Sequence, residues 1–116
     1  MPVTVEQVRA AALALPEAVE VVTWGELTWR VRDKIFAMGG VESPAISVKC
    51  SREEQAELVA MDPGTYRVAA YVGRFGWVTV TLARVDVDEL RELLVEAWRR
   101  TAPKALVKGF DVRWSG

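Results

Sequence analysis

The sequence predicts an α+β fold, a two-layer α/β sandwich in which a five-stranded antiparallel sheet carries its helices on one face. Three segments have the hydrophobic spacing of amphipathic helices, and five short segments rich in β-branched and aromatic residues are separated by turn residues. Most of these turns are short, which favours antiparallel pairing. The predicted order is α-β-β-β-α-β-β-α. The chain has 116 residues, 51% of them hydrophobic, and we expect one domain over residues 1–116.

Start signals support each predicted helix. The predicted helices are Val3–Leu15, Ser51–Met61 and Asp86–Ala102, with one more short helical turn over Ala105–Phe110. Thr4 is the expected N-cap of the first helix, and Gln7 stands at the spacing of a capping box. Ser51 and Glu54 repeat that pattern in the second helix. Asp86 is the expected N-cap of the third.

Alternating side chains and turn residues support the strands. The predicted strands are Leu27–Val31, Lys34–Met38, Ala45–Lys49, Tyr66–Ala70 and Trp77–Leu82. Hydrophobic and polar residues alternate from Leu27 to Val31, which predicts one buried face. The dipeptide Arg32-Asp33 is a connection suited to a hairpin between the first two strands.

Composition excludes several classes of function. The chain contains no histidine and one cysteine, Cys50, which excludes Ser-His and Cys-His catalysis and the common zinc sites. It also lacks a phosphate-binding or dinucleotide-binding glycine pattern. We therefore expect a protein that is not an enzyme and that uses neither metal nor cofactor. The single cysteine favours a reducing, cytoplasmic location, and no apolar stretch is long enough to cross a membrane.

An ordered set of short motifs resembles a known family. The motifs are Trp24-Gly25, Lys34-Ile35-Phe36-Ala37, Ile46-Ser47-Val48-Lys49-Cys50, Pro63-Gly64, Tyr71-Val72-Gly73-Arg74 and Gly76-Trp77-Val78. Together they resemble the MmcQ/YjbR family over nearly the whole chain. The resemblance implies a two-layer α/β fold with a five-stranded antiparallel sheet and a DNA-binding function. Family members often carry a histidine just before the last motif, where this chain has Phe75.

Basic residues on the predicted strands and in the connections between them form the first candidate site. They are Arg30, Arg32, Lys34, Lys49, Arg67 and Arg74. Most charges on the predicted helices are acidic, so a basic sheet face could bind the phosphates of DNA despite a net charge of −1. Tyr71 or Trp77 could stack on a base. The alternative is that these cations are the solvated side of a one-sided sheet and that the aromatic residues belong to the core.

Tryptophan residues form the second candidate site. Five occur in this chain, and Trp24, Trp29 and Trp77 could line a cleft for a planar small molecule. The alternative is that most of them fill core volume.

The basic tail holds a third set of cations: Arg99, Arg100, Lys104, Lys108 and Arg113. Its simpler interpretation is charge complementation at a helix C-terminus. Cys50 precedes a helix start, which can lower a thiol pKa, but a structural thiol is the favoured interpretation.

Overall fold

The computed structural model describes residues 2–115, with side chains described as far as residue 112. Within that range the chain forms four α-helices, one 3₁₀ turn and six strands. In chain order these are α1 (Val5–Leu13), β1 (Ala18–Thr23), β2 (Glu26–Val31), β3 (Lys34–Gly40), β4 (Ala45–Val48), α2 (Arg52–Met61), β5 (Tyr66–Val68), the 3₁₀ turn (Gly73–Phe75), β6 (Val78–Thr81), α3 (Val87–Thr101) and α4 (Lys104–Ser115).

The six strands form one antiparallel sheet in the order β1-β2-β3-β4-β6-β5. The α+β class and the antiparallel pairing are confirmed, whereas the predicted number of five strands is wrong. The missed strand is β1, which pairs with β2 through the two-residue turn Trp24-Gly25. Both turn residues have positive φ, +53° and +80°. A turn of this kind is usually marked by Asn-Gly, and the bulky Trp24 concealed it.

The chain also forms more helix at its end than the sequence indicated. A short turn was predicted over Ala105–Phe110, but α4 extends over Lys104–Ser115. Phe110 is buried with its ring centroid 5.0 Å from that of Trp98. Packing against α3 therefore stabilises a segment whose helical pattern is weak by itself.

Among the described residues, the helices are too short or too polar to span a membrane.

The predicted helix starts are present. Thr4 and Gln7 form a complete capping box, with reciprocal bonds of 3.1 and 2.9 Å. Ser51 Oγ accepts from the Glu54 backbone N–H, but the Glu54 carboxylate pairs with Arg100 of α3. Only half of that second capping box therefore forms. The Asp86 side chain caps α3 by accepting from the Asp88 backbone N–H.

One face of the sheet belongs to the hydrophobic core, and we call it the inner face. Its buried side chains include Leu27, Trp29, Val31, Ala37, Ile46, Val48, Val78 and Val80. They form one cluster with Val8 and Ala12 of α1 and with Leu90, Leu94 and Trp98 of α3. A register shift between Trp29 and Arg30 leaves Phe36 as an extra, fully buried residue in β3. The cross-strand register assigns the alternate strand positions to the opposite side of the sheet.

Candidate functional site

The opposite side of the sheet, which we call the outer face, lies outside the hydrophobic core. The cross-strand register assigns to it Val19, Val21, Thr23, Glu26, Thr28, Arg30, Ile35, Met38, Ala45, Ser47, Arg67, Thr79 and Thr81. None of these residues belongs to the core cluster, and its valines, isoleucine and methionine are not among the hydrophobic residues that pack against that cluster. Valine, isoleucine and methionine occupy the β1–β3 part of this face together with Thr23, Glu26, Thr28 and Arg30. Hydroxyl side chains and Arg67 occupy most of the β4-β6-β5 part, which we call the polar half.

Three predicted cations lie on this outer face. Arg30 lies between Val19 and Ile35, and its guanidinium donates to the hydroxyls of Thr28 and Thr23 at 3.0 and 2.9 Å. Arg67 lies opposite Thr79 and donates to the Thr81 hydroxyl at 3.4 Å. Lys49 continues the alternation of β4 one residue past its end. Arg30 and Arg67 are four strand spacings apart, or roughly 19 Å.

These cations differ from most other arginines in having no carboxylate partner. Among the described residues, arginines in ion pairs are Arg9, Arg32, Arg84, Arg91, Arg99 and Arg100. No such pair within 4.0 Å involves Arg30, Lys34, Lys49, Arg67 or Arg74. The guanidiniums of the outer face bond to neutral hydroxyls and keep their full charge available to an anion.

Arg32 does not belong to this set, which corrects the sequence interpretation. Its guanidinium binds the Glu17 carboxylate through two bonds, of 2.5 and 3.0 Å. The hydrogen bond from Arg32 lowers the pKa of Glu17, and that carboxylate in turn raises the pKa of Arg32. Both residues have positive φ and lie in turns that the strand pairing brings together. The charge of Arg32 is therefore neutralised within the protein.

Lys34 and Arg74 lie at one end of the sheet instead of on its outer face. Lys34 begins β3 opposite Val31, an inner-face position, and its side chain is exposed. Arg74 lies in the 3₁₀ turn that precedes β6, with its guanidinium carbon 4.8 Å from the centre of the Phe75 ring. Because β3 and β6 start where β4 ends, these two cations flank Lys49 at the same end of the sheet.

A depression of about 350 Å³ lies over the polar half of the outer face. Its lining includes Met38, Ser47, Thr79, Arg67, Tyr71 and Glu26. The hydroxyls of Ser47 and Thr79 are 3.3 Å apart on its floor. Tyr71 is 96% exposed and has a φ of +62°, so its ring is open to a ligand. Glu26 is an exposed carboxylate at the opposite end of the lining.

The predicted tryptophan cleft does not form. Trp29 is completely buried, and its indole N–H donates to Glu20 at 3.0 Å. Trp77 is 8% exposed, which also excludes the stacking role predicted for it. Trp24 is 98% exposed on the β1–β2 turn. Trp29 and Trp77 are therefore buried, whereas Trp24 lies on an exposed turn. The three rings do not line a common cleft, and two of them fill volume in the protein interior.

The arginines of the basic tail whose side chains are described are paired with carboxylates, and Cys50 is buried. Arg99 pairs with Glu96 and with Asp111 of α4, at 3.5 and 2.6 Å, and Arg100 pairs with Glu54. Lys104 and Lys108 are exposed, and the side chain of Arg113 lies outside the described residues. Cys50 is 3% exposed, and burial together with the Glu54 carboxylate raises its pKa to about 12. The helix start therefore does not activate this thiol.

Sequence reasoning missed the hydroxyl side chains that surround Arg67. Their signal was present, because the strict alternation in the run from Val78 to Thr81 places both threonines on the face away from the core. The exposure of Tyr71 had no such signal. A tyrosine in a loop between two strands is as easily buried as exposed, and only the folded loop shows Tyr71 to be 96% exposed.

The chain is a small α+β protein with a six-stranded antiparallel sheet. Comparisons with known proteins identify its family. The YjbR family model matches residues 13–100. Two uncharacterized proteins, from Mycobacterium bovis and Mycobacterium tuberculosis, are each 33% identical over 71% of this chain and 78% of their own. A crystal structure of a Deinococcus radiodurans protein with a DUF419 domain superposes with a TM-score of 0.75. It is 25% identical, with 82% of this chain and 75% of that chain covered. The chain belongs to the YjbR family.

Proposed function

We propose that this protein is a non-enzymatic DNA-binding or regulatory module that holds the DNA backbone on the outer face of its sheet. The observation that carries the proposal is the distribution of ion pairs. Arg30 and Arg67 bond only to hydroxyls, whereas most arginines elsewhere are paired with carboxylates. An unpaired guanidinium on an open sheet is suited to phosphate, which it can bind through two parallel hydrogen bonds.

The geometry favours single-stranded DNA over a duplex. Arg30, Lys49 and Arg67 are spread over roughly 19 Å, a span that a strand of several nucleotides can follow. Tyr71 is open beside Arg67, and an aromatic ring can stack on a base only when that base is unpaired. The expected cytoplasmic location, where DNA is found, is part of this proposal, and the free, buried Cys50 suits a reducing compartment.

Salt-dependent binding tests the proposal. We expect a fluorescently labelled oligonucleotide to bind with an affinity that falls between about 50 and 200 mM salt. The double variant Arg30→Ala/Arg67→Ala should reduce the slope of log affinity against log salt by about 1.4, because each lost phosphate contact on a single strand contributes about 0.7. The matched control is Arg84→Ala/Arg91→Ala. It removes the same charge from two exposed arginines that already have carboxylate partners.

Two results would overturn the proposal. One is an absence of binding at the lowest salt concentration. The other is an equal loss in both double variants, because net charge and not the outer face would then govern binding.

A second candidate function rests on the depression beside Arg67. Its volume of about 350 Å³ falls within the range of small-molecule sites, and it offers a cation, two hydroxyls and an open aromatic ring. These groups suit a planar anion, which replaces the predicted tryptophan cleft as the location for such a ligand. Nucleoside monophosphates are suitable probes for calorimetry. Arg67→Ala should abolish their binding and Arg30→Ala should not, because Arg30 lies outside the depression. An equal effect of both variants would count against this site.

A further inference from the structure

The two edges of the sheet differ in how well they are protected from other strands. The β5 edge has three residues and passes directly into the loop that leads to the 3₁₀ turn. The β1 edge has six residues, pairs with β2 at every position, and contains neither proline nor lysine. Short length, proline, bulges and charged side chains are the usual devices that prevent edge-to-edge association. The β1 edge has one of them, Glu20, and Arg9 pairs with that carboxylate.

The turn that closes the β1–β2 hairpin shows which backbone groups of β1 are free. Thr23 and Glu26 flank a two-residue turn, so they form a hydrogen-bonded pair, and pairs of this kind recur at every second residue. Val21 and Val19 therefore direct their N–H and C=O groups towards β2. Glu20 and Val22 direct theirs away from the sheet, at the open edge.

The side chains along this edge are unusually apolar for an exposed strand. Val19, Val21 and Val22 are 49%, 39% and 65% exposed. Glu20 is the only charged residue of β1, and its carboxylate is held on the inner side by Arg9 and the Trp29 indole N–H. A partner strand at this edge would therefore contact valines and free backbone groups, and it would meet no unpaired charge of β1 that could repel it.

We propose that β1 pairs with β1 of a second copy of this chain, joining two six-stranded sheets into one antiparallel sheet across a two-fold axis. A second copy fits because the strand is self-complementary. A two-fold axis that passes through Val21 perpendicular to the sheet keeps the outer faces of both copies on the same side of the joined sheet. It also sets Val21 opposite Val21 of the second copy. Glu20 then lies opposite Val22 of the second copy, and these two positions exchange both of their backbone hydrogen bonds. Symmetry doubles this exchange to four bonds.

Overlap and electrostatics select this register over its two neighbours. An axis at Val22 would pair only three residues of each β1 strand, whereas an axis at Val21 pairs five. A shift of the axis by one residue, to Glu20, would also join free backbone groups but would place two glutamates directly opposite each other. Like charges in directly opposed positions destabilise strand pairing. The register centred on Val21 avoids this repulsion and brings the valines of both copies together. It also sets the backbone of the exposed Trp24 opposite Ala18 of the second copy. This inference is independent of the proposed DNA binding.

Charge variants at the axis test both the dimer and its register. We expect the wild-type protein to sediment as a dimer that dissociates on dilution. Val21→Lys and Val21→Glu should each weaken dimerisation by roughly fivefold, because each variant sets two like charges together at the axis. An equimolar mixture of the two variants should recover the dimer, since lysine then faces glutamate. Val41→Lys, at an exposed loop valine, is the matched control and should remain dimeric.

Each other outcome counts against the proposal. A monomeric wild type at high concentration would overturn it. A dimer that persists in both Val21 variants would mean that another surface forms the contact. Failure of the mixture to recover the dimer, with both variants folded by circular dichroism, would exclude the register centred on Val21.

Discussion

Gly76 supports the loop that carries Tyr71 and Arg74, and its replacement by alanine provides a stringent test of the structure. Its φ of +101° is a conformation that side chains rarely adopt. A Cβ atom at this position would lie 2.4 Å from the carbonyl oxygen of Cys50 and 2.9 Å from the carbonyl carbon of Ser51. Both are backbone atoms at the junction of β4 and α2, so neither can move without disturbing the sheet.

The expected destabilisation has two parts. Forcing an L-residue into a left-handed conformation costs about 1–2 kcal/mol. Overpacking against a rigid neighbour costs about 1–3 kcal/mol more. Gly76→Ala should therefore lower the free energy of unfolding by roughly 2–5 kcal/mol. For a domain of this size that corresponds to a fall in melting temperature of roughly 10–20 °C.

Two other glycines provide controls for the separate parts. Gly25 also has positive φ, +80°, but a Cβ there would meet nothing within 4 Å, so Gly25→Ala should show only the conformational cost of about 1 kcal/mol. Gly109 lies in α4 with open space around it, and Gly109→Ala should stabilise the protein by about 0.8–1.0 kcal/mol through helix propensity. Urea denaturation of the three variants measures all three values.

The order of the three variants decides whether the reasoning is correct. If Gly76→Ala cost less than about 1 kcal/mol, or no more than Gly25→Ala, then the loop does not pack against the β4–α2 junction as described. A large loss should also be accompanied by weaker DNA binding, because the same loop positions Tyr71 and Arg74.

Two further predictions concern ionisable groups. The pKa of Cys50 is raised from 9.0 to about 12, so its thiolate population is lowered roughly a thousandfold. A thiol reagent should therefore label Cys50 only after unfolding. Rapid labelling of the folded protein would contradict the burial of this side chain. The pKa of Glu17 is lowered, chiefly by the hydrogen bond from Arg32, so this pair stabilises the fold above pH 4.5 and loses that contribution as the pH falls through the lowered value. The stability difference between wild type and Arg32→Ala should therefore shrink on acidification, and a constant difference would refute the assignment.

Local signals predicted most of the secondary structure. Thr4, Ser51 and Asp86 mark three helix starts at the positions where the structure has them, because an N-cap depends on a side chain and backbone groups only two or three residues away. The hairpin around Arg32-Asp33 is equally local. β1 was missed because its turn lacks the usual residues, and α4 was underestimated because its stability comes from α3.

The candidate site was only partly predictable. Three of its cations, Arg30, Lys49 and Arg67, follow from strand parity, which a sequence displays. The neutralisation of Arg32 by Glu17 does not, because these residues are 15 positions apart and meet only through the pairing of β1 with β2. Separation along the chain also explains why the predicted tryptophan cleft was wrong. The burial of each ring depends on residues that are remote from it in sequence.

The fold class, the helix starts and the faces of the strands follow from the amino-acid sequence, since each depends on composition or on neighbours along the chain. The strand order, in which β6 lies between β4 and β5, is seen only in the folded protein, and so are the pairing of charges and the open edge of the sheet. The physical reason is that ion pairs and sheet edges are defined by residues distant in sequence, whose approach is fixed by the packing of the whole core.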